Sequence, residues 1–317
     1  MRNFLIDTDT ASDDAVALIM ALRHPGVRVV GITVVAGNVS LQQSVANALL
    51  TVEFAGATAP VFPGVDKPLL RPHEDASWFH GRDGLGDQFY PPAKAAAAAT
   101  HAVDAILELS RAHPGLTLVT LGPLTNIALA LLRDPTLAIR IARCVVMGGA
   151  PCTEGNVTPA AEYNIWCDPE AARIVFNSGM PIEMIGWQLC RGAANLRADD
   201  IAAVRAINTP LAHFVLDCNR VAAEANRTQT GEVGIALPDP TAMAVALDPS
   251  IATHATNHAV AIATDELTRG MTIIDKLNVS QDPRNVTLWR DTRPASIVWS
   301  LDIPKFKHLL LNCIKGA

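Results

Sequence analysis

Residues 7–14 read Asp-Thr-Asp-Thr-Ala-Ser-Asp-Asp, so four carboxylates (Asp7, Asp9, Asp13 and Asp14) fall within eight positions. Apolar Phe4-Leu5-Ile6 precedes them and a helical pattern follows from Asp14. Side chains alternate along an extended backbone, which predicts Asp7 and Asp9 on one side. Ser12 is the expected helix cap, leaving Asp13 and Asp14 in the first turn at the positive end of the dipole. Capping explains one or two acids at such a place, but not four. Carboxylates held together repel unless a cation compensates them. Oxygen donors select a hard cation, and several carboxylates favour calcium over magnesium, which tends to keep its waters.

These acids need a rigid frame. Roughly the first two hundred residues alternate strand-like and helix-like patterns. Strands are expected over 4–6, 27–35, 61–62, 116–121, 144–147 and 182–185. Helices are expected over 14–22, 40–55, 93–112, 124–132 and 168–177, with Gly56 as a stop and the alanine run 95–99 inside a helix. The stretch 193–247 reads as purely helical, then strands over 258–263, 271–274 and 295–299 and a terminal helix from Ile303. Apolar strands between amphipathic helices predict an α/β fold, with a parallel sheet covered on both faces. Such a sheet carries its site at the carboxyl ends of its strands. The chain 1–317 is expected to form one domain: a mostly parallel, Rossmann-like central sheet flanked by helices, with a helical subregion near the site. Residues 64–92, rich in Pro, Gly and acids, read as a long loop that is either a lid or a loose surface excursion.

Asp7-Thr8-Asp9-x-x-x-Asp13-Asp14 resembles the signature of the inosine-uridine-preferring nucleoside hydrolase family. The resemblance continues through Gly37-Asn38-Val39, the loop run His80-Gly81-Arg82-Asp83-Gly84-Leu85-Gly86, and Leu121-Gly122-Pro123-Leu124-Thr125-Asn126. It includes Met147-Gly148-Gly149, Asn156-x-x-Pro159-x-Ala161-Glu162-Tyr163-Asn164, Asp168-Pro169-Glu170-Ala171-Ala172 and Asp239-Pro240-Thr241-Ala242. Each piece alone is weak; their order and spacing over essentially the whole chain are specific.

The resemblance implies calcium-dependent hydrolysis of the N-glycosidic bond of ribonucleosides. It implies that Asp9, Asp14, the Leu121 carbonyl and Asp239 hold the ion, and that Asp9 also takes a proton from the attacking water. Asp13, Asn38, Asn156, Glu162 and Asn164 would hydrogen-bond the ribose, with Met147 touching it from one side. Glu162 and Asn164 lie two apart, so an extended segment would point both inward; otherwise they precede and cap the helix opened by Asp168 and Pro169. Asn126 is expected to cap or support its own helix. Cleavage builds an oxocarbenium-like cation, which a preorganised carboxylate-rich cavity stabilises.

One position departs from the family pattern. Many members carry a histidine just before the aspartate matching Asp239, where it protonates the departing base; this chain has Pro238. Base-side candidates are His80, Trp78 and Arg227. Tyr163, Trp166, Trp187 and Phe214 could stack on a base or pack in the core. His213, Asn219, Arg220, Glu224 and Asn226 share the helical stretch that faces the base in the family.

The 317 residues are 50% apolar and 18% charged, with a net charge of −6. That balance excludes disorder, and the lack of basic clusters argues against nucleic-acid backbones as partners. A free nucleoside carries no phosphate and meets no such objection. The six cysteines form no C-x-x-C pair, which fits reduced thiols in the cytoplasm. No run is long enough to cross a membrane, and no signal peptide is expected before Phe4-Leu5-Ile6. The family implies a homodimer or homotetramer. Two other functions fit parts of the pattern. One is a haloacid-dehalogenase-type phosphatase, which begins with a similar D-x-D but needs no Asp13-Asp14 pair. The other is a nucleoside-binding or regulatory protein on the same scaffold with little turnover.

Overall fold

The computed structural model describes residues 1–285 and 289–315. Its strands are β1 (Arg2–Thr8), β2 (Val27–Val34), β3 (Val61–Pro63), β4 (Leu116–Thr120), β5 (Ile141–Met147), β6 (Ile182–Ile185), β7 (Ala252–Ile262), β8 (Thr272–Ile274) and β9 (Arg293–Leu301). They form a nine-stranded sheet in the order β3-β2-β1-β4-β5-β6-β9-β7-β8. Pairing is parallel from β3 through to β9, and β7 runs antiparallel to both β9 and β8.

Helices cover both faces, so alternate residues of one strand enter different cores. Phe4 and Ile6 pack in one core and Leu5 in the other. Val119 and Leu118 of β4 divide the same way, as do Val145 and Val146 of β5. β1 lies between β2 and β4. The strand order therefore reverses beside β1, leaving a crevice at the carboxyl ends of β1 and β4, where open α/β sheets bind ligands.

Several expectations change in detail. The first helix is Ser12–Arg23 with Ala11 at the cap position, so Ser12 is its first residue and not its cap. Asp14 reaches back instead, accepting the Ala11 N–H at 2.9 Å. Residues 93–101 are not helical; that helix is Ala102–Ala112, capped by the His101 side chain. The alanine run has the highest helix propensity, but the Ala98 N–H bonds the Val61 carbonyl at the sheet edge, and that tertiary bond fixes it as irregular backbone. The 193–247 stretch holds four α-helices, Ala198–Ile207, Pro210–Asp217, Arg220–Thr230 and Pro238–Leu247. It is not purely helical, because a β-bridge joins Leu196 to Ile235.

The loop over 64–92 is held down rather than loose. Leu69 N–H donates to Asp168 at 2.8 Å, and Arg71 pairs with Glu170 at 2.7 Å. Its one short helix is Ser77–His80. Among the described residues, no helix is long and apolar enough to cross a membrane.

Candidate active site

The carboxyl ends of β1, β2, β4 and β5 bring the chemistry together. Asp9 follows β1, Asn38 follows β2, Leu121 follows β4, and Met147 ends β5. Asp9 Oδ2 accepts the Asn38 N–H at 2.6 Å, while its buried Oδ1 has no partner. Gly37 and Gly122 press against this carboxylate, and a Cβ on either would collide with it. Asp14 accepts from the Thr8 hydroxyl at 2.6 Å and from the Asn38 side-chain amide at 3.3 Å. Asp239 comes from the first turn of the Pro238–Leu247 helix.

Oxygens of Asp13, Asp14 and Asp239 lie within 4.8 Å of one another, and all three residues are buried. Asp13 Oδ1 is also without a hydrogen-bond partner. Burial, reinforced for Asp14 by Asp13, pushes the carboxyls of Asp13 and Asp14 up to about 6. Burial and then the neighbouring acids hold Asp9 and Asp239 well above the usual range. Buried like charges with unpaired oxygens are costly. An all-oxygen donor set of this kind fits a hard divalent cation, so this aspartate cluster can bind a metal ion.

Asp7 stays outside the cluster. β1 ends at Thr8, so the extended alternation stops before Asp9. Asp7 instead accepts from Thr33 at 2.6 Å and Asn126 at 2.9 Å, and burial lifts its carboxyl to about 7. Asn126 supports the strand ends rather than capping its helix, also donating to Val34 O and accepting from Val65 N–H.

A cavity of about 350 Å³ opens over the cluster. Asp13, Asn38, Leu121 and Asp239 line its floor side, and Met147, Asn156, Glu162 and Asn164 also face it. Glu162 and Asn164 do not lie on an extended segment. Glu162 caps the short helix Tyr163–Cys167, accepting from Asn164 N–H at 2.8 Å and from Ile165 N–H at 3.3 Å. It also accepts the Gly149 N–H at 2.7 Å, so capping fixes the carboxylate in the wall. Asn164 Nδ2 donates to the Leu121 carbonyl at 2.7 Å. Asp168 caps the next helix through Ala171 N–H, as its position before Pro169 predicts.

On the remaining wall, His80 is buried and Trp78 is exposed, and both line the cavity. His80 Nδ1 shares a 2.7 Å hydrogen bond with Ser12 Oγ, and burial lowers its pKa to about 4. Arg227 lies outside the wall, exposed and paired with Glu224; from its helix, Ala222 and Gln229 line the cavity instead. Tyr163, Trp166, Trp187 and Pro238 are wall residues, whereas Phe214 stacks on Phe54 with centroids 4.2 Å apart. His213 is exposed and bonds Asn208, Arg220 bonds Gly86 O, and Asn219 bonds Ser12 O. Asn226 is buried behind the wall. Sequence reading misses Gln229, Phe79 and the pairing of Ser12 with His80. The position of Phe79 between Trp78 and His80 was a usable signal; Gln229 carried none.

The model of the inosine-uridine preferring nucleoside hydrolase family matches residues 4–308. The pyrimidine-specific ribonucleoside hydrolase RihB of Escherichia coli (strain SE11) is 32% identical over 316 residues, 99% of this chain and 97% of that protein. A plant nucleoside hydrolase structure superposes with a TM-score of 0.93 at 31% identity, covering 100% of this chain and 99% of that one. A purine-preferring ribonucleoside hydrolase from Gardnerella vaginalis gives a TM-score of 0.88 at 31% identity, covering 99% and 98%. With a metal-fitted aspartate cluster at the sheet crevice and these relatives along its length, the chain belongs to the inosine-uridine preferring nucleoside hydrolase family and is an enzyme of that class.

Proposed function

We propose that the protein uses calcium to hydrolyse the N-glycosidic bond of ribonucleosides, releasing ribose and free base. The observation that carries this reading is the buried cluster of Asp13, Asp14 and Asp239 oxygens, with Asp13 Oδ1 unpartnered, beneath a nucleoside-sized cavity that Asp13 and Asp239 line. Asp9, Asp14, Asp239 and the Leu121 carbonyl would hold the ion. When bound, it acidifies water and offers positions to a vicinal diol. Asp9 would accept the proton of the attacking water, as a carboxylate beside the ion can. Asp13, Asn38, Asn156, Glu162 and Asn164 orient the ribose, with Met147 against it. The buried carboxylates stabilise positive charge as it develops at the sugar.

His80 serves the base side. Its imidazole is neutral near pH 7, since burial holds its pKa down to about 4. It therefore polarises the departing base as an N–H donor and not as an imidazolium, with Ser12 fixing the ring. Trp78 stacks at the mouth. The loop over 64–92 acts as the lid of the site.

The relatives named above include one pyrimidine-specific and one purine-preferring enzyme at similar identity, so base preference is left to assay. Five buried cysteines and one exposed cysteine, all free, support a reducing cytoplasmic setting, and a homodimer or homotetramer is the proposed assembly. The test is a panel of ribonucleosides with chromatographic detection of free base, with and without a calcium chelator. Release of base that stops on chelation and returns with calcium supports the reading; no release from any nucleoside overturns it.

A further inference from the structure

The Pro238–Leu247 helix carries Asp239 in its first turn, and every residue from Asp239 to Leu247 is buried. Ala242, Ala244 and Ala246 alternate with Met243, Val245 and Leu247, so the helix is apolar on all sides beyond its first turn. No polar stripe fixes its rotation, and its many small side chains form only shallow ridges against its neighbours. Its first turn has no side-chain cap. A side chain that serves a binding site nevertheless has to be held to within about 0.5 Å. The directional bonds able to set this register lie at the other end of the helix.

There the last turn meets two guanidinium groups. Arg143 donates to the Val245 carbonyl at 3.0 Å and to the Ala246 carbonyl at 3.1 Å. Arg2 donates to the Ala246 carbonyl at 2.8 Å and to the Leu247 carbonyl. With Asp248 N–H on the Ala244 carbonyl at 2.8 Å, all four terminal carbonyls of the helix are partnered. Arg143 is braced by Glu183 of β6, its Nε donating to the carboxylate at 3.0 Å, and Arg2 lies over the Phe4 ring at 5.2 Å. Two cations at one carbonyl repel each other: burial, and then Arg143, lower the pKa of Arg2. The negative end of the helix dipole offsets that repulsion. Arg2 opens β1, whose far end leads into Asp9, so strand and helix are pinned together at one end and present their aspartates at the other. Asp239 and Ala246 are seven residues apart, about 10 Å along the helix axis.

We propose that Arg143 and Arg2 are positioning residues: their grip on the last turn sets the axial register of the Pro238–Leu247 helix, and so the depth at which Asp239 enters the aspartate cluster. This rests on the proposed reading of Asp239 as a calcium ligand. Neither arginine lines the cavity, so each acts through the helix and not on substrate.

The test measures calcium affinity by calorimetry on chelator-treated wild type, R143M, R143K and R2M, with the unfolding midpoint of each recorded in chelator. I106A, which opens a cavity in the core on the other face of the sheet, is the control for lost stability alone. R143M and R2M are expected to lose calcium affinity by about two- to thirtyfold, the scale on which packed elements couple distant groups. R143K keeps the charge without the fork that spans two carbonyls, and should fall between R143M and the wild type. I106A should lower the midpoint and leave calcium affinity unchanged, as would the loss of an arginine that served the fold alone. Wild-type calcium affinity in R143M and R2M, or a loss in I106A as large as theirs, overturns the proposal. If R143M does not fold, R143K and R2M decide, and wild-type affinity in both overturns it. When the wild type binds calcium and the arginine variants bind it equally well, this inference alone fails. If the wild type binds none, the reading of the aspartate cluster fails with it.

Discussion

Ser12 Oγ stands 2.7 Å from His80 Nδ1, joining the first turn of the helix that carries Asp13 and Asp14 to the loop over 64–92, part of which lines the cavity. Ser12 is itself held from behind, because its carbonyl accepts the Asn219 side-chain amide at 3.3 Å. When Ser12 donates to Nδ1, the single proton of the neutral ring sits on the other nitrogen. H80A should therefore slow natural nucleosides by about 10²–10⁴-fold, the usual scale of assistance to a leaving group. A riboside with a p-nitrophenolate leaving group needs little such help and should be nearly unaffected. S12A should move in the same direction by less. Equal slowing of both substrate types by H80A would make His80 a packing residue only.

The metal prediction follows from the carboxylate oxygens that converge in the buried cluster of Asp13, Asp14 and Asp239. D14N and D239N each remove a charged oxygen donor from a buried cluster. Their effect on calcium affinity should exceed the about 10–100-fold typical of losing an outer-sphere partner. Calorimetric titration of chelator-treated protein gives the affinity, and elemental analysis of untreated protein gives the ion. A stoichiometric transition metal, or wild-type calcium affinity in both variants, would sink the assignment.

How much of this site the sequence exposes depends on how local the cause is. Asp13-Asp14 at a strand-to-helix junction and the cap that Asp168 gives to Ala171 N–H are local features, and both were legible. The two covered faces of the sheet followed from its nearly continuous apolar strands, of which Phe4-Leu5-Ile6 is the first. The alanine run failed because a bond to Val61 outweighs propensity, and no local pattern records that bond. Arg227 looked like a base-side residue by neighbourhood, yet helical rotation turns it to Glu224 and brings Gln229 to the wall. Glu162 faces the cavity for a reason opposite to the one spacing suggested: it caps a helix, and the cap aims it.

Recognition of the ribose diol should be steep. Of the polar groups proposed for it, Asp13, Asn38, Glu162 and Asn164 are buried and Asn156 is half-buried. A substrate lacking the 2′ hydroxyl leaves them unpaired. Sites built on hydroxyl recognition discriminate by about 10⁴-fold or more. The ratio of kcat/KM for uridine and 2′-deoxyuridine measures this directly, and comparable values would contradict the assigned ribose contacts.

Asp168 should matter to stability more than an ordinary cap. One oxygen accepts Ala171 N–H at 3.0 Å, and the other accepts Leu69 N–H at 2.8 Å and the Thr125 hydroxyl at 2.7 Å. A lost cap typically costs about 1 kcal/mol, and each buried donor left unpaired adds about 1–3 kcal/mol. The Leu69 N–H is half-buried and can meet water, so the Thr125 hydroxyl alone counts in full and D168A is expected to destabilise by about 2–4 kcal/mol in denaturant unfolding. D168N keeps one acceptor oxygen and should lose less. A loss no larger than that of a simple cap would show that the Leu69 and Thr125 bonds contribute little.

The acids of the floor set a pH dependence whose sign the ion should reverse. In the metal-free protein, burial raises Asp7 to about 7 and both Asp13 and Asp14 to about 6, from an ordinary 3.8. Over that window the folded state binds more protons than the unfolded chain, so stability falls as pH rises from about 4 to about 7. His80 opposes this. Its pKa is lowered from 6.5 to about 4, so its neutral folded form contributes stability that is lost as pH falls through that range. Several raised carboxyls act against one lowered imidazole, and the carboxyls should prevail. Metal ligands must be deprotonated, so the stabilisation from bound calcium grows across the same window. Thermal unfolding at about pH 5, 6 and 7 should show Tm falling with pH in chelator, while the Tm gain from saturating calcium increases. A chelated protein more stable at pH 7 than at pH 5, or a calcium gain that shrinks as pH rises, would mean that the buried aspartates are not what the ion compensates.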